Sequence, residues 1–181
     1  MSLCFGGIMS QVKTDTPYKP PSELSVPAMV YPYTAGVIGG ALGGLVMIAV
    51  AAVYGLSSGR GLWLPVNLIG ATLVRDLQVA PLEQLFAFNA AALLVGLVLH
   101  MAMSIGLGLI FAMLLPTLPG SPLLWALIIG PLLWTLASVL ILPLLNPVMA
   151  LYVDHTSFLG AHVVYSLVLG GWIARTPKVH A

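Results

Sequence analysis

The chain has 181 residues, of which 60% are hydrophobic and only 6% are charged, and its formal net charge is +1 at pH 7. Soluble domains carry about 25% charged residues, so this composition excludes an ordinary soluble domain. The near-zero charge provides no basic surface for nucleic acid, and the single cysteine, Cys4, excludes an intrachain disulfide and a cysteine-based metal cluster. Long apolar runs without alternating strand patterns predict an all-α integral membrane protein.

Residues 1–34 differ from the rest of the chain. They are rich in Pro, Ser and Thr and contain the charged residues Lys13, Asp15, Lys19 and Glu23. This composition predicts an extended tail that lies on the membrane surface or on a partner. The opening segment MSLCFGGIM has no basic start and too short an apolar core for a signal peptide, so we expect none.

Four apolar segments are long enough to cross about 30 Å of hydrocarbon at about 1.5 Å per residue. We predict transmembrane helices at about 35–54, 86–115, 123–142 and 152–174, followed by a short tail at 176–181. The fourth helix could also begin at Phe158, because polar residues precede it. The turn PTLPGSP makes the second and third helices antiparallel neighbours.

An even number of spans places both termini on one side of the membrane. That side carries more basic residues than the other: Lys13, Lys19, Arg175 and Lys178, against Arg60 and Arg75. The positive-inside rule therefore predicts cytoplasmic termini for a four-helix transmembrane domain over residues 35–175.

The segment between the first two spans contains apolar residues at helical spacing: Val66, Ile69, Leu73 and Leu77. This spacing predicts a short amphipathic helix in the outer interface, with Trp63 as an anchor and with Asn67, Arg75 and Asp76 pointing away. The alternative is an irregular loop packed on the bundle.

Prolines mark the third span. Pro131 lies in its middle, and we expect it to kink the helix. Pro143 and the pair Asn146-Pro147 are expected to end it.

Small residues recur every four positions on three of the predicted spans. Such faces let helix backbones approach closely, either within this bundle or against another subunit. The predicted packing residues are Gly36, Gly40 and Gly44 on the first span, Gly96, Ser104 and Gly108 on the second, and Ser166 and Gly170 on the fourth.

Two of these faces also carry a histidine. HMAMSIGLG begins at His100 and HVVYSLVLG at His162, and the two stretches share histidine, serine, leucine and glycine at equivalent positions. This similarity suggests two helical hairpins in a pseudo-two-fold repeat, with both histidines near the middle of the membrane. Chance similarity in apolar sequence is the alternative.

A histidine inside a span needs a partner. The preferred interpretation is a hydrogen bond across packed helices, with Ser104, Ser166, Tyr165, Thr135 or Ser138. The alternative is that His100 and His162 bind b-type haem between them. Asp154 and His155 lie too far along the fourth span to complete a transition-metal site, so no metal is predicted.

At these residues the chain resembles uncharacterised bacterial four-span inner-membrane proteins of the YagU type. The resemblance covers roughly residues 86–175 and rests on His100 with Ser104, FAMLLPTLP, LPLLNP and HVVY. It implies a bacterial inner-membrane location and the four-span topology. The resemblance implies no particular biochemical activity.

No set of catalytic groups is apparent in the spans, which predicts a protein that is not an enzyme. The expected function is that of an accessory subunit in a larger membrane complex, of respiratory or photosynthetic electron transfer, with other membrane subunits and bound lipids as partners. One alternative is a small haem-binding electron carrier that uses His100 and His162. A second alternative is a small transporter or channel.

Overall fold

The computed structural model describes residues 28–181, so the predictions for residues 1–27, including most of the tail and Cys4, lie outside the described residues. The described part is all-α except for one pair of two-residue strands. Its elements are β1 (Met29–Val30), α1 (Tyr33–Ser57), α2 (Trp63–Gly70), a 3-10 turn (Arg75–Gln78), α3 (Leu82–Leu85), α4 (Ala90–Leu114), a 3-10 turn (Leu115–Thr117), α5 (Pro122–Leu136), a π-helical turn (Ala137–Ile141), α6 (Leu142–Leu145), α7 (Pro147–Tyr152), α8 (His155–Arg175) and β2 (Val179–His180).

Within residues 28–181 four helices are long and apolar enough to cross a membrane, which confirms the predicted helical class. They are Tyr33–Ser57, Ala90–Thr117, Pro122–Leu145 and His155–Arg175.

Side-chain caps set where three of these helices begin. The Asn89 side chain accepts a hydrogen bond from the Ala92 N–H at 3.0 Å, so the second helix begins at Ala90 rather than at residue 86. Asp154 Oδ1 accepts from the Ser157 N–H at 2.8 Å and starts α8 at His155. Ser121 caps α5 in the same way. Each cap satisfies an N–H group that has no partner within the helix.

Pro143 does not end the third long helix, contrary to the prediction, whereas the pair Asn146-Pro147 ends it as predicted. The π-helical turn at Ala137–Ile141 comes shortly before Pro143, and this wider turn accommodates a residue that has no N–H to donate. The helix runs to Leu145 and breaks at Asn146, whose φ of −144° and ψ of 67° are not helical. Pro147 then opens α7.

The long helices form a row in which α4 packs on α1, α1 on α8, and α8 on α5. We call the end that holds residues 58–89 and 146–154 the connection end, and the opposite end the terminal end. At the terminal end β1 and β2 pair antiparallel, with Met29 opposite His180 and Val30 opposite Val179. The described ends of the chain therefore lie on the same side of the bundle.

Helix α2 exists, but it packs into the bundle at the connection end. Asn67 is fully buried and donates hydrogen bonds to the carbonyls of Leu85 and Ala87, at 2.9 and 2.8 Å, so the prediction that it points away is wrong. The helix ends at Gly70, before Leu73, which is 63% exposed. The two carbonyls satisfy both N–H groups of the buried amide, whereas its Oδ1 has no hydrogen-bond partner among the described residues. The spacing of apolar residues cannot reveal these distant acceptors.

Small residues bring α1 and α4 into close contact. A Cβ added at Gly40 would lie 2.5 Å from the Ser104 carbonyl oxygen, and one added at Gly44 would lie 2.8 Å from the Ser104 side chain. Gly36 and Gly108 also face each other across this contact. Gly96, on another face of α4, lies against α2.

Helices α5 and α8 pack in the same manner. Ser166 of α8 lies against Gly130 of α5, and a Cβ added at Gly170 would lie 2.5 Å from the Ala126 Cβ. The residues four and eight positions after each histidine thus contact small residues of the preceding long helix in both hairpins.

Candidate functional site

An apolar cleft of about 420 Å³ lies between α4 and the helix formed by α5, the π-helical turn and α6. It exists because α4 and α5 stand at opposite ends of the row of helices and the row does not close on itself. The central helices α1 and α8 form its base, and α2 and α7 bound it at the connection end. Its middle is lined by Met47, Ala51, Leu97, His100, Met103, Leu107, Ile141, Leu142, Phe158 and His162.

Polar groups lie mainly at one end of this cleft. Arg60, Thr72, Asn146, Asp154 and Ser157 line it at the connection end. The rest of its lining, as far as Met47, Leu107 and Tyr165, is mainly aliphatic and aromatic. The cleft therefore offers a long apolar surface, two histidines and one polar end.

His100 forms a hydrogen bond across helices, but not with a predicted partner. Its Nε2 lies 3.0 Å from the Gly44 carbonyl oxygen of α1. A carbonyl can only accept, so Nε2 carries the proton and donates. This bond fixes the ring of His100 against the glycine face of α1.

His162 forms its hydrogen bond within its own helix. Its Nδ1 lies 2.8 Å from the Phe158 carbonyl oxygen, one turn earlier in α8, so Nδ1 donates. The Phe158 ring meets the imidazole edge-on, with ring centroids 4.4 Å apart and an interplanar angle of 88°. The backbone bond and the aromatic contact together fix the orientation of His162.

The expected contact of the histidines with neighbouring hydroxyls is therefore wrong. The Tyr165 hydroxyl donates to the Ser104 carbonyl at 2.6 Å, and Ser166 Oγ donates to the Val163 carbonyl at 3.0 Å. Thr135 Oγ1 donates to the Pro131 carbonyl at 2.9 Å. Hydroxyl groups in helices commonly bond to backbone carbonyls of the preceding turn, which leaves them unavailable to other side chains.

The haem alternative stays a prediction. Axial ligation of one iron requires a free nitrogen from both rings directed at the same point. Nε2 of His100 is engaged with the Gly44 carbonyl and Nδ1 of His162 with the Phe158 carbonyl, so iron could be bound by Nδ1 of His100 and Nε2 of His162. Among the described residues that line the cleft, Arg60, at the connection end, is the one positive charge available to a propionate. Among residues 28–181 no group of three metal-ligating side chains occurs.

A buried polar network closes the connection end. Asn146, which is 1% exposed, donates from Nδ2 to the Leu68 carbonyl at 2.7 Å and to Thr72 Oγ1 at 2.9 Å. Gln78 Nε2 donates to Asn146 Oδ1 at 2.9 Å, and Gln78 Oε1 accepts from the Val148 N–H at 3.2 Å. The network joins α2, the first 3-10 turn and α7. From the sequence, Asn146 is predicted only to end a helix, and no role is predicted for Gln78.

Two charged residues lie at the rim of the same end. Arg60 Nη1 donates to the Tyr152 carbonyl at 3.2 Å. The hydrogen bond from the Ser157 N–H lowers the pKa of the Asp154 carboxyl, and the positive charges of Arg60 and His155 act in the same direction. Asp154 is therefore a carboxylate at neutral pH, and it caps α8 at the entrance of the cleft.

No protein-family model, curated protein or solved structure matches this chain. The resemblance to YagU-type proteins stays a prediction.

Proposed function

We propose that this chain is an integral membrane protein whose cleft, between α4 on one side and the π-helical turn with α6 on the other, binds a small, mainly apolar ligand that enters from the lipid. The observation that carries this proposal is the cleft itself, which has apolar walls, two histidines in its middle and a polar connection end. Its volume of about 420 Å³ lies within the range of about 300–1,000 Å³ typical of small-molecule pockets.

The outer surface of the helices supports a membrane location. Large apolar side chains are exposed around the bundle, including Leu94 at 66%, Leu132 at 59% and Val139 at 73%. In hydrocarbon such side chains are at no disadvantage, whereas in water they would form an extensive apolar patch.

The distribution of charge supports cytoplasmic termini. Among the described residues Arg175 and Lys178 lie at the terminal end without an acidic neighbour. The connection end holds Arg60 and Arg75. Lys13 and Lys19 precede β1 in the sequence, and counting them with the terminal end gives four basic residues against two, so the positive-inside rule favours the terminal end for the cytoplasm.

The accessory-subunit role, with respiratory or photosynthetic partners, stays a prediction and would use the outer faces of the helices.

We also propose that the two hairpins are a repeat. The equivalent contacts of Ser104 with Gly44 and of Ser166 with Gly130 support this interpretation, since chance similarity would not require equivalent packing.

Photolabelling in lipid nanodiscs tests the binding proposal. An alkylbenzene carrying a diazirine should label the cleft residues saturably, and excess unlabelled alkylbenzene should compete. Leu97→Trp fills the cleft and should reduce this labelling at least about fivefold, which corresponds to about 1 kcal/mol of binding free energy. Leu94→Trp on the outer face of α4 is the matched control. Labelling that does not saturate, or that Leu97→Trp leaves unchanged, would contradict the proposal.

A further inference from the structure

We propose that the cleft selects a ligand with a hydroxyl group, an alcohol or a phenol, which donates a hydrogen bond to His162 or His100. This inference rests on the proposed function and names the chemical class of the ligand. It comes from the proton positions that the backbone imposes on the two rings.

In His162 the proton is fixed on Nδ1 by the Phe158 carbonyl, 2.8 Å away. The neutral ring then presents Nε2 as a hydrogen-bond acceptor. No residue of the described chain donates to that nitrogen. The edge-on Phe158 ring restricts rotation of the imidazole, so the acceptor has a defined position.

In His100 the opposite nitrogen carries the proton. Nε2 donates to the Gly44 carbonyl at 3.0 Å, so Nδ1 is the acceptor in the neutral ring. It too receives no hydrogen bond from residues 28–181. Two imidazoles that line one cleft thus each retain one acceptor nitrogen.

Several donors that line the cleft are already engaged. The Tyr165 hydroxyl donates to Ser104 O, the Asn146 amide donates to Leu68 O and Thr72 Oγ1, and Arg60 donates to Tyr152 O. The hydrogens that form these bonds are therefore not available to the acceptor nitrogens of the two histidines.

An acceptor without a partner in an apolar environment is unfavourable, and a ligand donor removes that penalty. A hydroxyl on an apolar body supplies such a donor without introducing a charge. An ether or a ketone at the same position would bring lone pairs toward an imidazole lone pair and should bind less well. The cleft should therefore discriminate between ligands of equal shape by the presence of one O–H group.

A matched pair of competitors tests this inference in the photolabelling assay. 4-Heptylphenol and its methyl ether share the same apolar body, and only the phenol can donate. In the wild-type chain the phenol should displace the photoprobe at about tenfold lower concentration in the bilayer. This preference corresponds to about 1.4 kcal/mol.

Substitution of the histidine identifies the acceptor. His162→Phe should bring the ratio of the displacing concentrations of the ether and the phenol close to one. His100→Phe should do so if its ring is the acceptor instead. His155→Phe is the matched control, because His155 does not line the cleft, and it should keep the wild-type ratio.

The outcomes separate the two proposals. If both competitors displace the probe equally in the wild-type chain, the hydroxyl inference is wrong and the binding proposal stands. If neither competitor displaces the probe, the binding proposal itself is wrong. The comparison of the phenol with its methyl ether on the wild-type chain tests the hydroxyl preference even where a histidine variant does not fold.

Discussion

His100 of α4 donates a hydrogen bond to the backbone carbonyl of Gly44 in α1, with Nε2 and the oxygen 3.0 Å apart. Glycine at this position lets the two helices approach closely enough for the bond, since a side chain there would meet Ser104. The bond therefore links the small-residue face of α1 to the wall of the cleft.

Replacing this histidine tests the bond. His100→Phe keeps an aromatic ring but removes the donor, and it should lower the free energy of unfolding by about 1 kcal/mol, as for other hydrogen bonds between membrane helices. Unfolding by denaturing detergent, followed by circular dichroism, measures the effect. The exposed His180 provides a control, and His180→Phe should leave stability unchanged. Equal stability of the two variants would show that the bond contributes nothing.

A second prediction concerns the contact between α1 and α4. Gly108→Ala places a methyl group 2.7 Å from the Gly40 Cα, so the helices must separate, and the expected loss of stability is about 1–3 kcal/mol. Gly106→Ala on the same helix places its methyl group in open space and should be neutral or slightly stabilising, because alanine favours helix. Detergent unfolding of both variants in parallel provides the comparison. A similar response of the two would argue against close packing at Gly108.

The long helices and their small-residue faces were predictable, since hydropathy and four-residue spacing depend on local sequence. The ends that a capping side chain sets, as at Asn89 and Asp154, were not predicted. The burial of Asn67 was not predictable, because its acceptors, the carbonyls of Leu85 and Ala87, lie far along the chain in a segment without periodicity. A polar side chain in an apolar helix gives no sign of whether distant carbonyls satisfy it.

The histidines illustrate the same limit. Sequence spacing placed His100 and His162 on equivalent faces of two helices. It could not show that backbone carbonyls, rather than neighbouring hydroxyls, fix the protons on the two rings. Nor could it show the cleft, which follows from the order of the four helices in the row.

A third prediction concerns the polar network at the connection end. Asn146→Leu keeps similar volume but removes the amide, so the Leu68 carbonyl and the Gln78 side chain lose their buried partner. Buried polar groups left in this way should lower the free energy of unfolding by about 2–3 kcal/mol. Gln84→Leu is the control, because Gln84 is exposed, and it should change stability by less than about 0.5 kcal/mol. Thermal unfolding in detergent measures the stability of both variants. If Asn146→Leu changes the free energy of unfolding as little as Gln84→Leu does, the polar network does not stabilise the fold.

The last prediction is a pH dependence at the entrance of the cleft. The hydrogen bond from the Ser157 N–H, aided by Arg60 and His155, holds the pKa of Asp154 below its usual value of 3.8. A carboxyl with a lowered folded-state pKa stabilises the fold above its unfolded pKa, and this contribution is lost as pH falls through the folded value. The contribution of Asp154 to the free energy of unfolding should therefore be constant from pH 7 to about pH 4 and should decrease at lower pH. Asp154→Asn keeps a helix cap without a titrating group, so it should be nearly as stable as the wild-type chain at pH 7 and should lose less stability on acidification. Thermal unfolding of both proteins between pH 2.5 and 7, at constant ionic strength, measures the difference, and parallel pH profiles would show that the charge of Asp154 does not stabilise the start of α8.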